Sequence, residues 1–123
     1  LENNSNFTSL SADGGNLTFS GTTAQTVSVN LGGFGTELAS LTSNSSDATT
    51  GIVFNGPVFT DALNATGAKT TMYGTTEGTS AQLGAVTIGS GAELSFLGTI
   101  ASDTFTSISA ASGTLSFNGT TAQ

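Results

Sequence analysis

The sequence predicts an all-β protein, in the form of a β-solenoid (parallel β-helix-like) of about five irregular coils stacked along one axis. Three observations support this prediction: short runs of alternating apolar and small polar residues, an internal repeat, and a five-residue motif that recurs within it. Alternation over a few positions is typical of strands, and self-similarity at a fixed period is typical of arrays. No stretch shows the periodicity of a substantial helix, so we expect roughly ten short strands.

The internal repeat links the two ends of the chain. Residues 7–25 return as residues 105–123 with a constant shift of 98 positions, and thirteen of the nineteen pairs are identical. We therefore predict that residues 1–98 form one repeat module. Residues 99–123 are expected to begin the next copy and to pack in the same continuous stack.

The recurring motif is an aliphatic residue, any residue, Phe, any residue, Gly. It occurs at residues 17–21, 52–56, 94–98 and 115–119, and residues 72–74 are interpreted as a degenerate copy. We expect the Phe rings to stack in one internal column, the aliphatic residues in a second column, and each Gly to turn the chain with φ > 0. The predicted columns are Phe19, Phe54, Phe96 and Phe117, and Leu17, Ile52, Leu94 and Leu115.

Other segments refine this interpretation. The run at residues 26–31 predicts a strand with Val27, Val29 and Leu31 on one side, whereas residues 37–41 could form a helical turn. The 35 residues between Gly21 and Gly56 require a long loop or a split coil around residues 43–50. The alternative fold is a β-sandwich tandem module of about 98 residues, which the short internal motif and the single proline disfavour.

Composition restricts the possible partners. Lys69 is the only basic residue against eight acidic ones, which gives a formal net charge of −7. Nucleic acids and anionic membrane surfaces attract clustered Lys and Arg, so we expect neither as a partner. Apolar residues make up 36% of the chain and occur in short runs, which favours an ordered protein over a disordered one. No run of about 18 apolar residues is present, so no membrane insertion is expected.

The motif copies, the Gly/Ser/Thr/Asn background and the near absence of Lys, Cys and Pro resemble the passenger-domain repeats of bacterial autotransporters and related large surface adhesins. Residues 115–120 (LSFNGT) look like the strand-and-turn units of those right-handed β-helices. The resemblance implies an extracellular location at the bacterial cell surface and a stalk, coat or adhesive role.

Candidate catalytic residues are few. The acids stand singly, and the chain contains neither His nor Arg, whereas glycoside hydrolysis needs two carboxylates flanking one bond. Two pairs could meet in space, Asp61 with Glu77 and Glu93 with Asp103, but solvated turn acids are the simpler interpretation. We predict that the chain is not an enzyme and that it has no catalytic residues and no cofactor.

Metal sites are also not expected. Residues 32–38 (GGFGTEL) resemble the calcium-binding glycine-rich nonapeptide of secreted repeat proteins, but Glu37 stands where Asp is expected and only one copy is present. A Gly-rich turn is the preferred interpretation. Single carboxylates at Asp13, Asp47 and Asp103 do not make a site.

Two further patterns concern the surface. Asn-x-Ser/Thr patterns, which could accept glycans, begin at Asn3, Asn6, Asn16, Asn44, Asn64 and Asn118. Thr pairs at 22–23, 70–71 and 75–76 suggest ice binding, which needs Thr spaced regularly on successive coils. Because these pairs do not recur once per coil, ice binding remains a remote alternative, as does carbohydrate binding.

The favoured function is a structural or adhesive repeat module of a secreted surface protein, forming a rod or stalk. Its expected partners are neighbouring repeat modules of the same protein or identical subunits, with a host-cell or matrix surface as a further candidate. The alternative is a self-assembling, pilus-like extracellular filament in which strands of one subunit complete the sheet of another.

Overall fold

A computed structural model describes residues 9–10, 13–33, 35–73, 83–98 and 105–119, and these residues form twelve strands and no helix. The strands in chain order are β1 (Ser9–Leu10), β2 (Asn16–Gly21), β3 (Gln25–Val27), β4 (Asn30–Leu31), β5 (Ser40–Ser45), β6 (Ile52–Phe54), β7 (Ala62–Ala65), β8 (Lys69–Met72), β9 (Gly84–Ile88), β10 (Glu93–Phe96), β11 (Phe105–Ala110) and β12 (Thr114–Phe117).

The strands form three parallel sheets. Side 1 has the order β11-β9-β7-β5-β2, side 2 has the order β12-β10-β8-β6-β3, and side 3 contains β1 and β4. All ladders between described strands are parallel, and successive described strands alternate between side 1 and side 2, with β1 and β4 on side 3. This is a β-solenoid, which confirms the predicted fold class, with about four turns where about five coils were expected. The β-sandwich alternative is wrong, because its sheets would be antiparallel.

The turns of the solenoid have nearly constant length on side 1. Partner residues in adjacent strands are separated by 24, 22, 23 and 22 positions along the chain. The predicted long loop around residues 43–50 is therefore only partly correct, since residues 43–45 belong to β5 and the loop occupies 46–51. The 35-residue gap arises because residues 17–21 and 52–56 do not lie on the same side of the solenoid.

Side 3 carries an outward loop. Leu31 pairs with Val58, and Leu38 pairs with Thr60. Between these two bridges one turn has six residues, 32–37, where the next turn has only Phe59, so residues 32–37 loop out of the sheet. The helical turn considered for residues 37–41 is absent there, because Leu38 forms a β-bridge and β5 begins at Ser40. The alternation predicted at residues 26–31 is confirmed. Val27, Val29 and Leu31 are buried, and the residues between them are exposed even though the chain passes from side 2 to side 3.

The predicted Phe column exists on side 2, with one error. Phe54, Met72, Phe96 and Phe117 are consecutive partners in the ladder, and the rings of Phe96 and Phe117 stack with centroids 5.7 Å apart. Phe19 is not in this column, because β2 lies on side 1. Its ring instead meets Phe54 from the side, edge to face, at 5.4 Å. The aliphatic column is corrected in the same way.

The corrected aliphatic columns follow the ladders. Leu17 belongs to side 1 with Leu41, Leu63, Val86 and Ile108. Side 2 contains Gln25, Ile52, Thr70, Leu94 and Leu115.

Side chains on the two long sides compensate in size. The inward column of side 1 continues from Phe19 through Ser43, Ala65 and Ile88 to Ala110. Ser43 and Ala65 are small in the turns where side 2 supplies Phe54 and Met72. The buried hydroxyl of Ser43 pairs with the hydroxyl of Thr70 at 2.7 Å, so this polar pair satisfies itself inside the core.

Among the motif glycines, Gly21 has the predicted positive φ, at 150°, whereas the prediction is wrong for Gly56, and Gly74 lies outside the described residues. Positive φ also occurs where strands begin, as at Gly51 (66°) and Gly84 (55°). A Cβ at these two positions would collide with the carbonyl oxygens of Lys69 and Asp61 in the next or preceding turn. Glycine is therefore required there by both φ and the close approach of neighbouring turns.

Replacing Phe96 by Asp should unfold the protein. Phe96 is fully buried in the side 2 column, and an unpaired carboxylate there should cost more than about 4 kcal/mol. The matched control is Phe117→Asp, in the same column but 49% exposed, with an expected cost of about 1 kcal/mol or less. Thermal or urea unfolding measures both variants. A melting temperature of F96D close to that of the wild type would contradict the column.

Candidate functional site

The predicted acid pairs cannot be compared in full, because Glu77 and Asp103 lie outside the described residues. Asp61 is exposed just before β7, where the chain enters side 1. Glu93 begins β10 on side 2, next to Lys69 in the ladder, and its carboxylate accepts a hydrogen bond from the Ser95 hydroxyl at 3.1 Å. The two described acids therefore lie at different corners of the solenoid.

The glycine-rich segment at residues 32–37 forms the predicted turn. The amide of Thr36 donates to the carbonyl of Gly33 at 3.1 Å, and the amide of Gly35 donates to the Glu37 carboxylate at 2.9 Å. The hydrogen bond from Gly35 holds the pKa of Glu37 below its ordinary value. The Glu37 side chain thus stabilises the turn in which it lies, by accepting a hydrogen bond from a backbone amide of that turn. Within the described ranges there is no group of three or more acidic, His or Cys side chains that could hold a metal ion.

Asp47 stabilises the loop between β5 and β6. Its Oδ2 accepts hydrogen bonds from the amides of Gly51 at 2.8 Å and Thr50 at 3.1 Å. These donors lower the pKa of Asp47, that of Gly51 contributing most. The loop is thereby fixed to the start of β6.

The predicted glycan acceptors occupy different environments. Asn16, Asn44 and Asn118 are exposed, whereas Asn64 is half-buried and donates to the Thr42 hydroxyl at 3.5 Å. Asn3 and Asn6 are outside the described residues. Asn16 is engaged as well, because its Oδ1 accepts from the Ser40 hydroxyl of the next turn at 2.8 Å.

The Thr pairs do not form a regular exposed array. Thr22 and Thr23 are exposed at a corner, Thr70 and Thr71 are buried, and residues 75–76 are not among those described. A different polar column, which the sequence analysis missed, runs along the outer face of side 1. Its members are ladder partners in five successive strands: Thr18, Thr42, Asn64, Thr87 and Ser109. The only sequence signal for it is one hydroxyl or amide residue every 22 to 24 positions.

A shallow groove of about 450 Å³ follows the corner between sides 1 and 2. Asn44, Ser46, Thr66 and Ser90 contribute its polar side chains, and the small residue Gly67 forms part of its floor. All the residues that line it are uncharged. The groove can therefore form hydrogen bonds, but its lining supplies neither a general base nor a metal ligand of the usual kind.

The two ends of the solenoid differ. Phe19 in β2 is only 4% exposed, although β2 is an edge strand of side 1. At the other end, β11 and β12 are edge strands, and Ile108 and Phe117 are 36% and 49% exposed. Phe105 and Leu115 are half-buried beside them. The last described turn thus exposes apolar side chains beside two strand edges.

Comparison with known proteins identifies no relative: no protein-family model, no curated protein and no solved structure matches this chain. In the part of the chain that the structure describes, no helix is long and apolar enough to cross a membrane.

Acid should destabilise the loop between β5 and β6 through Asp47. Because the folded-state pKa of Asp47 is lowered from 3.8, its stabilising effect is present above that value and is lost as the pH falls through the lowered pKa. We expect the melting temperature to fall between about pH 5 and pH 2, and Asp47→Asn to remove part of that decrease.

The control for this measurement is Asp61→Asn, which changes an exposed carboxylate and should retain the acid-induced decrease. Identical pH profiles for D47N and the wild type would show that the hydrogen bonds to Asp47 do not contribute to stability.

Proposed function

We propose that the chain is a structural or adhesive repeat module of a secreted bacterial cell-surface protein, in which stacked solenoid turns form a rod or stalk. The supporting observation is the different burial of the same Phe in the two copies of the repeat. Phe19, which is followed by another turn of the solenoid, is 4% exposed, whereas Phe117 in the last described turn is 49% exposed. A following module would bury Phe117 as the second turn buries Phe19.

The surface chemistry supports a mechanical role. Polar side chains of neighbouring turns pair with each other, as in the hydroxyls of Ser90 and Ser112 at 2.7 Å and the Ser40–Asn16 bond. These side-chain hydrogen bonds connect successive turns, and the groups that form them are uncharged. In solenoids, each unit is stabilised chiefly by its neighbours, so a longer array is a more stable rod.

The same open end supports a second candidate, a self-assembling filament. The edges of β11 and β12 could pair with another copy of the chain by strand addition. The two proposals differ in whether the next turn belongs to the same polypeptide. A concentration-dependent increase in mass of the isolated chain would support the filament, and a monomer at high concentration would favour the covalent array.

Extending the chain by one module should lengthen the rod and stabilise it. In a two-module chain, residues 26–123 are repeated after Gln123. Because one module spans 98 residues, or about four and a third turns at 4.8 Å each, we expect about 21 Å of added length in small-angle scattering and one cooperative unfolding transition.

Phe117→Asp provides the control for the two-module chain. At the end of the single chain this substitution should be tolerated, but at the junction it should place a charge between stacked turns and separate unfolding into two transitions. Equal unfolding of the two-module chain with and without F117D would contradict the array.

Surface display requires its own experiment. Antibodies raised against the folded chain should label intact cells of the producing bacterium, because a stalk projects from the surface. Permeabilised cells provide the positive control. Labelling confined to permeabilised cells would contradict secretion while leaving the rod proposal intact.

A further inference from the structure

The two copies of the repeat lie on different sides of the solenoid. Residues 17–19 belong to β2 on side 1, whereas the equivalent residues 115–117 belong to β12 on side 2. The preceding segment is displaced in the same direction, since residues 9–10 form β1 on side 3 and residues 107–108 lie in β11 on side 1. The 98 residues of one repeat therefore advance the chain by four turns and one further side.

The first copy shows which strands cover this motif when another turn follows. β4 pairs with β1 through Ser9–Asn30 and Leu10–Leu31. β5 pairs with β2, and Phe19 is opposite Ser43. Since the second copy has nearly the same sequence, the same partners fit its edges.

From this geometry, and resting on the proposed array, we infer that a following module docks on the open end rotated by one side of the solenoid. The residues of that module equivalent to β5 pair with β12 on side 2, and those equivalent to β4 pair with β11 on side 1. The equivalent of Ser43 then lies on Phe117, and the equivalent of Leu31 lies on Ile108. Both exposed apolar residues of the last turn are covered.

The rotation determines how an array presents its surface. Any one feature, such as the loop at residues 46–51, points to a different side in each successive module and returns to its first side after three modules. Three modules comprise about 13 turns, or about 62 Å along the axis. Loops and grooves of successive modules are thus distributed around the rod and not aligned along one edge.

Disulfide cross-linking tests the register, and the absence of native cysteine makes the test clean. In the two-module chain, Thr42→Cys in the second module is combined either with Ser116→Cys on side 2 or with Ser109→Cys on side 1. Ser116, Ser109 and Thr42 all occupy outward positions, because each lies between inward-facing residues of its strand. Ladder partners about 4.8 Å apart are within disulfide range. The positive control is Thr18→Cys with Thr42→Cys in the single chain, which are ladder partners.

We expect mild oxidation to remove both free thiols in the S116C combination and in the control, and to leave them in the S109C combination. Cross-linking of S109C in place of S116C would overturn the rotation but leave the stacked array intact. Cross-linking of the control alone would overturn both the rotation and the array, because the second module would then not stack on β11 and β12 at all.

Discussion

The stacking of each turn on its neighbour, in strict ladder register, is the interaction on which the rest of this structure depends. Parallel strands about 4.8 Å apart place equivalent positions of successive turns in direct contact. Phe54, Met72, Phe96 and Phe117 form one such column. The same spacing leaves no room for a Cβ at Gly51 or Gly84, where a neighbouring carbonyl lies too close. Core packing and glycine placement thus follow from one geometric constraint.

The core is filled by compensation between columns. Side 1 places Ser43 and Ala65 in the turns where side 2 places Phe54 and Met72. A column of identical large residues on both sides would overfill the interior, because protein cores are close-packed. Thr70 shows that the interior also accepts polar atoms where a partner is present, here Ser43.

On the described surface, polar side chains form hydrogen bonds within loops and between turns. Its carboxylates at Glu37 and Asp47 accept backbone hydrogen bonds and fix loops, and its hydroxyls pair across neighbouring turns. Phe19 is enclosed, whereas Phe117 is exposed beside two strand edges, so the two ends of the described solenoid differ.

The sequence alone predicted an all-β chain, because period-two alternation sets which side chains point inward, and its recurring motif favoured a solenoid over a sandwich. It also placed Phe54, Phe96 and Phe117 in one column and identified the glycine-rich turn at residues 32–37, whereas the ladder of the structure added Met72 to that column. Only the tertiary structure decided on which side of the solenoid each motif lies. It places Leu17 and Phe19 on side 1, and it reveals the polar column that begins at Thr18 and Thr42. The physical reason is that alternation repeats along every strand regardless of side. The corners are set by pairing between residues 22 to 24 positions apart, which no local pattern specifies.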